Sequence, residues 1–166
     1  MAPATPLGKG GVSVVRVSGV GAKAVGEVVC GELNGPWFFK KCQIKNKKGV
    51  VVDSGLVVLF ESPKSYTGED VVEVHCHGSP VVVDLVVESF LSAGCRLAEP
   101  GEFTKRAYLN EKIDMTQAEA VSDLIASETE EAARAAHNSL VGEFSKLVNG
   151  VIDRVVSVRV LVESSI

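Results

Sequence analysis

The chain has 166 residues, of which 46% are hydrophobic, 23% charged and only 5% aromatic. That apolar content excludes a disordered chain, and 30 valines point to a core of small β-branched side chains, which favour strands. The net charge of −4 is divided, +1 over residues 1–112 and −5 over residues 113–166, and no basic stripe of the kind that grips nucleic acid unaided stands out.

Residues 1–11 are rich in Pro and Gly. From Val12 to Ser18 the pattern alternates as a strand does, with Arg16 sharing a face with valines. Ala22 to Cys30 reads as a short helix. Trp37 to Ile44 and Val50 to Phe60 read as two strands joined by the basic turn Lys45-Asn46-Lys47-Lys48-Gly49. A polar loop, Glu61 to Asp70, leads into a strand from Val71 to His77. Pro80 to Ala93 has helical spacing with Pro in its first turn, and Cys95 to Ala98 reads as a short final strand. Strands mixed with helices in this order predict an α+β domain, a mixed sheet with flanking helices.

After about residue 112 the pattern becomes helical throughout. Asp114 to Ala126 carries Met115, Ala118, Val121, Leu124 and Ile125 on one face. From Thr129 one stripe runs through Ala132, Ala136, Leu140, Phe144 and Leu147, and Val148, Val151, Ile152, Val155, Val158, Val162 and Ile166 continue it. So much unmatched apolar surface predicts a partner, either further chain or another subunit. The expected domains are 1–112 and 113–166, the second being the first helices of an all-α domain.

No apolar run approaches the roughly 18 residues that cross a bilayer, and Met1-Ala-Pro-Ala-Thr5 is not a signal peptide. Cys30, Cys42, Cys76 and Cys95 form no CxxC pair and read as reduced thiols. The expectation is a cytoplasmic protein without a membrane role, or one of an organellar matrix.

Few residues could carry chemistry. Gly8-Lys9-Gly10-Gly11 precedes a strand, and G-x-x-x-x-G-K-[ST] occurs nowhere, so the chain holds no P-loop. In His75-Cys76-His77 the two histidines share a strand face while Cys76 points away, which suits neither a closed zinc site nor a Cys–His nucleophile. No metal ligand and no catalytic residue is assigned. Arg16 and Glu73 are the puzzle, a cation and an anion amid apolar strand neighbours. They could pair with each other, or each could bind a bidentate polar group of a ligand.

Three blocks resemble a known family. Gly8-Lys-Gly-Gly-Val-Ser-Val-Val-Arg-Val-Ser-Gly19, Ser65-Tyr-Thr-Gly-Glu-Asp-Val-Val-Glu-Val-His-Cys-His-Gly78 and the long run from Ala98 to Ala120 are similar to the tRNA-modification GTPase family MnmE, also called TrmE. The resemblance implies a tetrahydrofolate-binding N-terminal domain, similar in fold to the folate-binding part of glycine-cleavage T-protein, that forms a homodimer with folate near the interface. It places folate contacts on Arg16, Glu73 and Lys112, with 5-formyltetrahydrofolate or methylenetetrahydrofolate as ligand. It further implies an MnmG-type flavoprotein partner, and tRNA modified at carbon 5 of the wobble uridine through the full complex. GTP, potassium and magnesium would belong to a G domain, which residues 1–166 do not contain, so GTPase activity is not expected of this stretch. The family's usual strand before the A-x-A-T-P segment is expected to be lost or replaced. The competing readings are a scaffold module that dimerises without a working folate site, a lone folate-dependent aminomethyltransferase, for which the chain is too short, and a direct tRNA binder, which the charge disfavours.

Overall fold

The computed structural model describes residues 1–6 and 8–164. The chain divides into two compact units, Met1–Asn110 and Glu111–Ile166.

The first unit is a five-stranded sheet in the order β1-β2-β5-β4-β3. Its strands are β1 (Ala2–Pro3), β2 (Gly10–Ser18), β3 (Lys40–Lys45), β4 (Val51–Phe60) and β5 (Val71–Gly78). Every pairing is antiparallel, which narrows the expected mixed sheet. Two helices, α1 (Ala22–Cys30) and α2 (Pro80–Ser92), cover one face. Alternation explains the layer: Val15 and Val17, Cys42 and Ile44, Val57 and Leu59, and Val72 and Val74 point toward the helices and are buried with Val29, Val86 and Phe90. A third helix, α3 (Glu102–Leu109), follows the loop after α2.

Three details differ from the sequence reading. Cys95–Ala98 forms no strand. The backbones of Arg96 and Ala98 bond to either side of Met1, with Met1 N donating to the Arg96 carbonyl and Ala98 N to the Met1 carbonyl, each at 2.8 Å. Two bonds on one residue do not build a ladder. The β3 strand starts at Lys40 instead of Trp37, because Trp37 takes φ 71°, outside the extended region. The edge beside β2, where the family's first strand is expected to be lost or replaced, is held by the two-residue strand β1. Finally, α3 has no counterpart in the sequence reading.

The second unit holds α4 (Met115–Ala126), α5 (Glu130–Leu140) and α6 (Glu143–Glu163). α4 starts with a capping box. Asp114 accepts from the Gln117 amide and the Gln117 side chain accepts from the Asp114 amide, each at 2.9 Å. Asp114→Ala should lower the unit's stability by about 1 kcal/mol, read as a lower thermal midpoint in circular dichroism. The single stripe expected from Thr129 onward is broken into two helices at Gly142, whose φ of 86° ends one helical path and opens another. α6 buries none of its residues and exposes Val151, Ile152, Val155, Val158 and Val162. Ile166, the last member of the expected stripe, lies outside the described residues. Among the described residues no helix is long and apolar enough to cross a membrane.

Candidate functional site

Arg16 and Glu73 stand directly opposite each other in the β2–β5 ladder, and Val58 of β4 lies across from Glu73. Cross-strand partners share a face, so all three point away from α1 and α2. Arg16 Nε donates to Glu73 Oε1 at 2.7 Å, and Nη2 lies 2.7 Å from the same oxygen. The two side chains are 26% and 16% exposed, so the pair is mostly withdrawn from water and each member offsets the other's desolvation. Arg16 thus engages one carboxylate oxygen. The other, Oε2, lies 3.7 Å from His75 Nε2, which is buried and has no hydrogen-bond partner among the described residues. An orphaned ring nitrogen beside a carboxylate oxygen is a place where a polar ligand atom would be stabilised.

The surroundings are aromatic. The Arg16 guanidinium carbon lies 5.4 Å from the Tyr66 ring centre and 5.6 Å from that of Phe103, both within cation–π range. Phe39 meets the His75 ring edge-on at 5.2 Å. A chain of hydrogen bonds holds Tyr66 and Phe103 over this face. Ser18 Oγ bonds to Thr67 Oγ1 at 2.6 Å and donates to Glu69 at 2.8 Å. Glu69 accepts from Arg106 Nη1 at 3.0 Å, and Arg106 also donates to Glu102. Asn110 Nδ2 donates to the Thr67 carbonyl at 2.7 Å, and the Tyr66 and Thr104 hydroxyls share a bond of 2.9 Å. The loop between β4 and β5 and the helix α3 are therefore fastened to the sheet and to each other.

His77, two residues beyond His75, is committed elsewhere. Its amide and its Nδ1 both bond to the Asp53 carboxylate at 2.8 Å. Burial opposes ionisation of Asp53, yet these bonds outweigh it and hold the group below its ordinary value. Among the described residues no group of three His, Cys, Asp or Glu converges as a metal site requires. A shallow depression of about 210 Å³ beside His75 is lined by Gly11, Val12, Ser54, Gly55, Leu56 and His77. A second hollow of about 210 Å³ lies at the start of α1 and is lined also by Phe103 and Arg106.

Of the three residues singled out in the sequence, the structure brings Arg16 and Glu73 together. Lys112 is carried by the second unit, two residues past the division. Sequence reasoning gives no role to Tyr66, Phe103 or Phe39. Tyr66 sits in a polar loop and Phe103 in a helix that periodicity does not reveal, so only their aromatic character in an aromatic-poor chain could have drawn notice.

The pattern described as "GTP-binding protein TrmE N-terminus" matches residues 1–112, and that of the "MnmE helical domain" matches residues 115–166. This chain belongs to the MnmE (TrmE) family. Proteins named tRNA modification GTPase MnmE are similar to it along its whole length. The Coxiella burnetii protein is 47% identical over 165 residues, 99% of this chain and 36% of the relative. That of Francisella tularensis subsp. novicida is 43% identical over 166 residues, 100% of this chain and 37% of the relative. That of Nitrosomonas eutropha is 46% identical over 163 residues, 98% and 36% respectively. The chain thus spans little more than a third of these relatives, and matches their N-terminal part.

Proposed function

We propose that the open face of the first unit binds a one-carbon tetrahydrofolate, with Glu73 and Arg16 as its polar contacts. The observation that carries this reading is the half-buried carboxylate of Glu73. It is fixed by Arg16 through one oxygen and lies with the other oxygen beside the orphaned His75 Nε2, while Tyr66 and Phe103 pack on Arg16 and Phe39 on His75. A pterin ring fits such a place chemically. Its amino group and ring N–H form a donor edge that matches a carboxylate, and its flat face suits stacking on aromatic walls. Arg16 would keep Glu73 aimed, while Tyr66 and Phe103 would keep water from the pair. When bound, the folate supplies a carbon at the oxidation level needed for transfer to another molecule.

In this reading the chain forms a homodimer and acts in the cytoplasm with an MnmG-type flavoprotein to modify carbon 5 of the wobble uridine in tRNA. GTP would be bound outside residues 1–166. Calorimetric titration of the chain with 5-formyltetrahydrofolate, with the mass followed by light scattering, tests it. Binding to a dimer is expected, and Glu73→Ala should weaken it by about 2–4 kcal/mol because the ligand's donor edge loses its acceptor. Unchanged affinity in that variant would remove Glu73 from the site. A dimer that gives no heat would favour a scaffold module.

A further inference from the structure

Cys30 and Cys42 meet in the core between α1 and the sheet. Cys30 is the last residue of α1, and Cys42 lies in β3, on the face that turns toward the helices. Each is 6% exposed. The helix packs against the strand, and the Cys30 thiol donates a hydrogen bond to the Cys42 sulfur. A second bond ties the stretch between them together outside the core. Lys40 Nζ, two residues before Cys42, donates at 2.7 Å to the carbonyl of Glu32, two residues after Cys30. In the sequence eleven residues separate the two cysteines and no CxxC spacing marks them. The packing of α1 on β3 is what brings the sulfurs into contact.

The two sulfurs are not equivalent. Cys30 ends a helix, whose negative end opposes a thiolate, and its bond to Cys42 and its burial push the thiol up. Cys42 is held below its ordinary value. The Cys30 thiol and the Gly55 amide donate to it and the Lys40 charge favours the anion, against its burial and the charge of Asp53. Burial pushes the thiols of Cys76 and Cys95 up. The thiolate is the form that attacks, so Cys42 is placed to react first and Cys30 to capture its product.

We propose that Cys30 and Cys42 form a reversible oxidation site, closed to a disulfide by hydrogen peroxide and reopened by a small-molecule thiol. The Cys42 thiolate attacks one peroxide oxygen, the O–O bond breaks, and Cys42 becomes a sulfenic acid. The hydroxide that leaves takes up the proton lost when Cys42 ionised. The Cys30 sulfur then attacks the Cys42 sulfur, the S–O bond breaks, and water leaves with the Cys30 proton. Two thiols have given up two electrons and two protons, and one peroxide has become two waters. Two molecules of the small thiol reverse the change and leave as their own disulfide. The bond closes the segment 31–41, which carries Phe39 onto the His75 ring and Trp37 onto Phe60. The site goes beyond the folate reading and does not depend on it.

The test treats the reduced chain with hydrogen peroxide, alkylates the remaining thiols and reads a tryptic digest by mass spectrometry. Trypsin cuts after Lys23, Lys40, Lys41 and Lys45, so the two thiols fall in separate peptides, 24–40 and 42–45. These peptides are expected joined, two hydrogens lighter than their sum, and parted by dithiothreitol, with Cys76 and Cys95 alkylated. In Cys30→Ala, dimedone should label Cys42 as a sulfenic acid. In Cys42→Ala, Cys30 should stay alkylatable at the same dose. The joined peptides are sought in the unsubstituted chain, so a variant that fails to fold does not decide the matter. The proposal is overturned if Cys42 remains alkylatable, or if it passes to sulfinic acid while Cys30 stays a thiol. It is equally overturned if Cys76 or Cys95 oxidises first, or if the link forms only in urea, where α1 no longer packs on β3.

Discussion

Gly55→Ala is expected to cost the chain its sheet. Gly55 lies in β4 opposite Cys42 of β3, and a methyl group on it would fall on the carbonyl oxygen of His75 in β5. That oxygen is part of the backbone and cannot swing aside as a side chain would. β4 is held on both sides, so moving it disturbs the β3–β4 and β4–β5 ladders together and opens the layer around Val57 and Leu59. The loss should exceed about 4 kcal/mol, the range reached only by steric or buried-charge disruption. A domain whose whole stability is about 5–15 kcal/mol would then be largely unfolded. Urea unfolding followed by circular dichroism checks this; an unshifted midpoint would mean that the two strands separate there at little cost.

Glu102→Gln is expected to lower stability at neutral pH and to flatten its decline in acid. The Glu102 carboxylate accepts from Arg96 at 2.6 and 2.9 Å, from Arg106 at 2.8 and 3.0 Å, and from the Glu99 amide at 2.8 Å. The Arg96 bonds, followed by those of the Glu99 amide and Arg106, hold this carboxyl far below its ordinary value of 4.5. A depressed folded-state pKa contributes stability that is complete above the ordinary value and is lost as pH falls through the lowered one. The unsubstituted chain should therefore weaken progressively below about pH 4.5, with Glu102 as a principal cause. Arg96 is mostly exposed, so the neutral-pH loss should be about 2 kcal/mol, less than for a fully buried pair. Thermal midpoints of both proteins from pH 3 to pH 7 are the measurement, and parallel curves would exclude Glu102 from the acid transition.

The strands were legible because their side chains alternate cleanly. Val15 and Val17 in β2 and Val72 and Val74 in β5 announce a buried face, and the intervening Arg16 and Glu73 announce the other. The same alternation left two readings of that pair open, since it fixes faces but not which strands are neighbours. Only the β2–β5 register places the guanidinium against the carboxylate. α3 was hidden because it is eight residues long and buries only Glu102 and Ala107, too few for a helical rhythm. Tyr66 and Phe103 escaped notice for a related reason. They reach Arg16 through a network of Thr67, Glu69, Arg106 and Asn110 that no local pattern encodes. The break at Gly142 was masked by an apolar period that continues on both sides of it.

The ladder between β2 and β5 joins residues far apart in the chain, and Arg16 meets Glu73 across 57 positions. The β3–β4 hairpin, whose strands follow each other directly, can close early at small entropic cost, whereas this ladder must wait for everything between its strands to be arranged. The ion pair is therefore among the last contacts that a folding chain can make. A nascent or partly opened molecule has the lysine-rich hairpin but no carboxylate clamp. Any ligand held by the clamp binds only the completed sheet, and so pulls the folding equilibrium toward completion in proportion to its concentration.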